Sequence, residues 1–320
     1  MAILAGIDEA GLGPVLGPLV VTGVAFRVPD DALDRCLWKT LRATCTSKPT
    51  RTGRRLAVAD SKKLYKPNGG VGPLERAALV MLAVQGRKPA TWRALLEDIA
   101  PGATGQLDQY PWYSGDDVAL PLSDNVGDVG TRANAIRQDG AVSGVEFLGV
   151  CCEPLPEGHY NRLVSNTRNK AVVLLGLALR VVDRIMRTAP DERVRLCVDR
   201  LGGRTHYREA LTVSLPGYDM RILEESETRS AYRLTRSART CEIEFVIGGE
   251  SRHFAVALAS VYSKYVRELY MHAFNRYWSG RIPGLRPTAG YYTDAQRWLG
   301  DAGPKLDGFC VDRGLLVRER

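Results

Sequence analysis

The chain has 320 residues, 45% of them apolar and 25% charged, which suits a protein with a buried core and excludes a disordered or fibrous one. Its formal net charge of +8 favours a polyanionic partner such as nucleic acid, although an arginine-rich composition alone gives the same balance. Seven cysteines without a Cys-x-x-Cys pair argue against a disulfide framework or a zinc knuckle, and for reduced thiols in a cytoplasmic protein.

Residues 2–7 read as a buried strand, and the acid at position 8 stops the run too early for a signal peptide. Residues 18–28 read as a second strand, set off by Gly17-Pro18. A helix is expected over 31–44 and a better one over 73–86, with Pro73 at its start and Gly86 at its end. The stretch 87–144 is rich in turn formers and acids. Its Tyr110, Trp112 and Tyr113 want burial, so it reads as an irregular subdomain rather than disorder. Residues 144–154 form a strand candidate. A strong helix follows over 168–188, whose apolar run 171–179 is closed by Arg180 and is too short to cross a membrane. Next come a strand over 193–200 carrying Asp199, a helix over 204–215, and strands over 219–225 and 241–249. A long helix over 252–278 and a short one near 293–300 complete the chain. The alternation predicts an α/β layer fold. The first two strands are joined too closely for a helical crossover, so the sheet is expected to be mixed.

Acids recur in one context. Asp8 and Glu9 end the first strand and Asp199 ends another, where ligands gather in open α/β sheets. Adjacent strand residues face opposite sides, so Asp8 and Glu9 can share a site only if the strand ends or bends there. Gly11 and Gly13 permit that turn. Glu268 lies in the long helix four residues after Lys264, on a face with Ala257, Ser260 and Val261, and is expected to point inward. Carboxylates brought together repel unless they are protonated or bind hard cations such as Mg²⁺ or Mn²⁺. For any single strand-end acid, a turn cap or a solvated charge is the plainer reading.

Taken in order, several segments resemble the type 2 ribonuclease H family (ribonuclease HII and the catalytic subunit of eukaryotic ribonuclease H2). They are GIDEAGLGPVLGPLVV (6–21), DSKKL (60–64), CVDRLGG (197–203), GGESRHFAVALASVYSKYVRE (248–268) and AGYYTDAQRWL (289–299). With the elements between them they span about half the chain. The resemblance implies a ribonuclease H fold, a mixed five-stranded sheet flanked by helices. It implies endonucleolytic cleavage of the RNA strand of RNA–DNA hybrids with two Mg²⁺ or Mn²⁺ ions. By position, the metal ligands and catalytic residues would be Asp8, Glu9, Asp199 and Glu268. Gly11, Leu12, Gly13, Ser61, Lys62, Lys63 and Tyr291 would contact the substrate. The catalytic core would comprise 1–86 and 166–280, with 87–165 an insertion and 281–320 a C-terminal substrate-contacting segment.

Two departures from the family pattern stand out. Leu12 replaces an arginine, which removes a phosphate fork and bears on cleavage at single ribonucleotides. Glu268 replaces an aspartate, and Glu250 stands where an accessory aspartate is usual. These departures leave open a ribonuclease H-fold protein that binds nucleic acid without cutting it, or a nuclease for another nucleic-acid substrate. Independently, Lys48, Arg51, Arg54, Arg55, Lys62, Lys63 and Lys66 make a basic stretch able to track a phosphate backbone, or simply a solvated loop. His159, His206, His253 and His272 lack ligand spacing, and Cys197, in an apolar run, reads as core. Protein partners stay open: a eukaryote-like catalytic subunit would need them, a bacterial-type enzyme would not, and a monomer is compatible with the sequence.

Overall fold

The computed structural model describes residues 1–49, 53–66, 69–188 and 190–319, with only the backbone of Pro304. Its centre is a seven-stranded sheet built from β1 (Ala2–Ala10), β2 (Leu19–Val28), β3 (Glu146–Leu155), β4 (Arg193–Asp199), β5 (Asp219–Glu225), β6 (Arg229–Arg236) and β7 (Arg239–Val246). The order across the sheet is β3-β2-β1-β4-β7-β6-β5. β1 and β2 pair antiparallel, as do β2 and β3, while β4 runs parallel to both β1 and β7. The first five strands in that order are the mixed five-stranded sheet that the family resemblance implies. The antiparallel strands β6 and β5 then extend it to seven. β6 escapes the sequence pattern because Arg229, Arg233 and Arg236 interrupt its buried Tyr232 and Leu234.

The faces of the central strands alternate as strand geometry demands. Ile3, Ala5 and Ile7 of β1, with Leu19 and Val21 of β2, pack on one side. That side is covered by the helix Lys170–Thr188, whose Val181, Val182 and Ile185 are buried there. Val20, Val24 and Phe26 face the other side, against the 28-residue helix Phe254–Arg281. Gly6 is what lets that long helix lie on β1. A Cβ there would sit 2.3 Å from the backbone of Ala255 and Val256.

The stretch 87–165 is less separate than the sequence suggests. It supplies β3 to the sheet edge, and its Tyr110, Trp112 and Tyr113 join the core beside Tyr270, Phe274 and Trp278 of the long helix. The helix expected over 31–44 is reduced to a single turn at Asp30–Ala32 and the four residues Leu37–Thr40. The late helix runs longer than expected, over Tyr292–Leu306. All seven cysteines are unpaired thiols. Among the described residues no helix is long and apolar enough to cross a membrane.

Gly6→Ala is therefore expected to destabilise the chain by about 1–3 kcal/mol, the usual cost of overpacking. Gly13→Ala, where a Cβ meets nothing within 4 Å, should be near neutral. Urea midpoints of the two variants check the contrast.

Candidate active site

The parallel register of β1 and β4 sets Ile7 beside Val198, so Asp8 and Asp199 come next on neighbouring strands. The Asp8 side chain is turned back onto its own strand, and Oδ1 accepts from the Glu9 amide at 2.8 Å. The long helix fixes this strand end, because Ser263 Oγ donates to the Asp8 carbonyl at 2.9 Å. Ser260 Oγ, 3.0 Å from Ser61 Oγ, lies near enough to the Asp8 carboxyl to favour its ionised form. This ties the DSKKL segment to the acids. Asp60 caps the short helix Ser61–Leu64 by accepting from the Lys62 amide at 2.9 Å.

On the other side, the Gly249 amide donates to Asp199 Oδ1 at 2.8 Å. The next residue, Glu250, is near enough for its charge to raise the Asp199 carboxyl. Asp8, Glu9, Asp199 and Glu250 thus form one chain of interacting carboxyls. Burial holds the Asp8 carboxyl well above the usual range, with the charges of Glu9 and Asp199 pushing the same way. Burial also raises Glu9 to about 7, aided by Asp199 and opposed by Lys62. Asp199 rises to about 6 through burial. The Gly249 amide and Lys62 pull it down, and Glu250 pushes it up.

Two carboxylate oxygens here, Glu9 Oε2 and Glu250 Oε2, are buried without a hydrogen-bond partner. Buried polar atoms are normally satisfied, so orphaned anionic oxygens beside like charges need a counter-charge. A donor set made only of carboxylate oxygens suits Mg²⁺ or Mn²⁺.

Glu268 is placed elsewhere, with other partners. Lys264 Nζ contacts its Oε1 at 2.6 Å, Arg267 Nη1 lies 3.6 Å from the same oxygen, and the Tyr65 hydroxyl donates to Oε2 at 3.1 Å. The helix faces inward at Glu268, as the sequence leads one to expect, and there its carboxylate is paired with two cations. Tyr291 stands next to this group, its half-exposed ring 5.7 Å from Lys264 Nζ and 5.3 Å from Arg267 Cζ.

The loop after β1 is held from three distant places. Gly290 O accepts from Val15 and Leu16, at 2.9 and 3.2 Å. Glu157 Oε1 accepts from the Gly17 amide at 3.0 Å. Arg318, buried near the C-terminal end, donates to the carbonyls of Gly11 and Leu12. Gly11 has φ +91°, and a Cβ there would lie 2.5 Å from Pro18 O, so this turn requires glycine. Leu12 is half-buried against the core, while Gly13 is open to solvent. Lys48, Arg54, Arg55, Lys62, Lys63 and Lys66 are all exposed; Arg51 lies outside the described residues. Sequence reasoning missed Arg318 and Glu157 altogether. It met Glu250 only as an accessory, although its position between a strand end and a helix start was a usable signal.

No family model and no curated protein matches the chain. Solved structures do align with nearly all of it. The PCNA:RNase HII complex from Archaeoglobus fulgidus is 16% identical, with a TM-score of 0.47, over 99% of this chain and 94% of that one. The ribonuclease H2 from Pyrococcus horikoshii is 12% identical, with a TM-score of 0.46, over 98% and 92%. RNase H3 from Aquifex aeolicus is 13% identical, with a TM-score of 0.42, over 98% and 70%.

A carboxyl with a raised folded pKa binds more protons folded than unfolded. The metal-free chain therefore gains from this site below the folded values and loses that gain as pH rises through about 6 and about 7. Glu157, also raised to about 7 by burial, acts in the same direction, so a difference between variants is needed to isolate the site. Melting in EDTA should fall less steeply with pH for Glu9→Gln than for wild type. Mg²⁺ should stabilise the wild type more above pH ~7 than at pH ~5, because it binds the ionised form.

Proposed function

We propose that the chain is a metal-dependent endonuclease of the type 2 ribonuclease H kind, cleaving the RNA strand of RNA–DNA hybrids. The observation that carries the reading is the meeting of Asp8, Glu9, Asp199 and Glu250, with two unpartnered buried oxygens, beside Lys62. The ordered motifs in the sequence give the substrate class.

In this reading Asp8, Glu9, Asp199 and Glu250 hold two divalent ions, and Glu250 takes the place the motif seemed to give Glu268. The ions would supply charge neutralisation, activation of the attacking water and stabilisation of the leaving oxygen. The protein's own residues position the substrate. Lys62 and Lys63 are exposed donors for backbone phosphates, with Lys63 Nζ 3.3 Å from Ser251 Oγ, beside Glu250. Ser61 anchors their helix to Ser260. Gly11, Leu12 and Gly13 form a loop that lets a nucleic-acid backbone come close, with Gly13 open to it. Tyr291 offers an exposed ring edge for a sugar, steadied by Lys264 and Arg267. Glu268 is assigned to holding those two cations.

The test is cleavage of an RNA–DNA hybrid with Mg²⁺ or Mn²⁺, beside Asp8→Asn, Glu250→Gln and Glu268→Gln. Wild type should cut the RNA strand, and the first two variants should lose at least ~100-fold, the scale expected when a reacting centre is misplaced. Glu268→Gln should lose less than Glu250→Gln. Failure of the wild type to cut with either ion would overturn the proposal. Retarded hybrid without cutting would select a binding protein instead, and cutting of all-DNA duplexes or junctions a different substrate.

A further inference from the structure

A second group of metal-ligating side chains lies deeper in the same sheet. Cys197 of β4 and Glu244 of β7 are register partners, and His253 stands just before the long helix. Cys197 Sγ, a Glu244 carboxylate oxygen and a His253 ring nitrogen all lie within 4.8 Å of one another. Cys197 is 1% exposed and Glu244 6% exposed, so the group is part of the interior.

The group is poorly satisfied as it stands. Glu244 Oε1 is buried with no hydrogen-bond partner. The nearest cationic groups, Arg195 Nη2 and His253 Nε2, are each 3.9 Å from it, too far to bond. The other oxygen, Oε2, is fixed by Arg229 Nε at 2.9 Å, the outer-shell anchoring common for ligating carboxylates. That leaves Oε1 facing the His253 ring, with the Cys197 thiol within 4.8 Å of the carboxylate. A cavity of about 160 Å³, lined by Cys36, Arg195, Arg252 and His253, opens beside the group and provides an entry path.

The geometry points to a structural metal site at Cys197, Glu244 and His253 that takes a borderline-soft divalent ion of the zinc class, distinct from the carboxylate cluster. Thiolate plus imidazole disfavours Mg²⁺ and suits Zn²⁺, with water from the cavity as the fourth ligand. Tetrahedral ligands about one zinc lie roughly 3.5 Å apart, so the three atoms need to close by about an ångström. His253, with 31% of its side chain exposed, has the freedom to supply that movement. Thiolate and carboxylate together cancel the charge of the ion, so the surrounding Arg195, Arg229 and Arg252 do not face a net cation. Such an ion would clip β4 and β7 to the start of the long helix. Cys197 lies two residues before Asp199 and on the same face, so the clip would brace the strand that carries the third acid.

The test does not depend on nuclease activity. The full chain is stripped with chelator, and one equivalent of Co²⁺ is added. A thiolate-to-cobalt charge-transfer absorption is expected, displaced by Zn²⁺. It should vanish in Cys197→Ser, weaken at least ~10-fold in apparent affinity in His253→Ala, and persist in Asp8→Asn, since oxygen ligands give no such band. Circular dichroism reports whether each variant is folded, and the mostly polar environment of His253 keeps that variant informative if Cys197→Ser is not. Absence of the band in wild type, or its survival in folded Cys197→Ser, would overturn the site. Unchanged affinity in His253→Ala would do the same.

Discussion

Like charges crowded at the carboxyl ends of two adjacent parallel strands set the terms for this fold. Two unit charges about 4 Å apart near a protein surface repel by about 4 kcal/mol, so Asp8, Glu9, Asp199 and Glu250 are not all ionised together without compensation. The chain spends considerable structure on keeping them close. β1 and β4 are central in the sheet, the Gly249 amide caps Asp199, Ser263 of the long helix binds the end of β1, and Ser260 holds Ser61 beside it. Protonation is one relief from the repulsion and divalent cations are the other. The orphaned oxygens of Glu9 and Glu250 favour the second.

The layers were legible because the central strands and the two covering helices carry dense or alternating apolar residues. β1, β2, β4 and the helices Lys170–Thr188 and Phe254–Arg281 come from such segments. The pattern fails where burial is shared with charge. β6 hides its core residues between arginines, and residues 31–44 have apolar residues buried from turns instead of one helix face. The irregular stretch before β3 was readable only through its aromatics, which need a core to enter and find it beside Trp278.

Within the candidate site, the strand-end acids were readable as a set, because a turn cap or a solvated charge accounts for one such acid but not for acids closing two strands. The placement of Glu268 was not, and the reason is helical geometry. Ser260, Lys264 and Glu268 repeat at four-residue steps, so an inward-facing Ser260 makes Glu268 look inward too. Depth along the axis decides the matter. β1 ends at the level of Ser260 and Ser263, and Glu268 lies two turns beyond Ser260, about 12 Å further along the helix. There it meets Lys264, Arg267 and Tyr65 instead of Asp8. Glu250 reaches the acids because the turn at Gly248 and Gly249 folds back onto Asp199, a conformation with φ +65° at Gly248 that only the structure reveals.

The loop 11–17 carries the same lesson to substrate recognition. Its shape depends on Glu157, Gly290 and Arg318, which come from widely separated parts of the chain. Arg318 delivers a guanidinium to the loop that carries Leu12, but not as an open phosphate fork. Its donors are turned to the carbonyls of Gly11 and Leu12, and its plane stacks 3.9 Å from the Tyr160 ring. At 3% exposure it is a tie within the fold. The exposed cations Lys62 and Lys63 stand instead on the short helix that Ser61 anchors to Ser260.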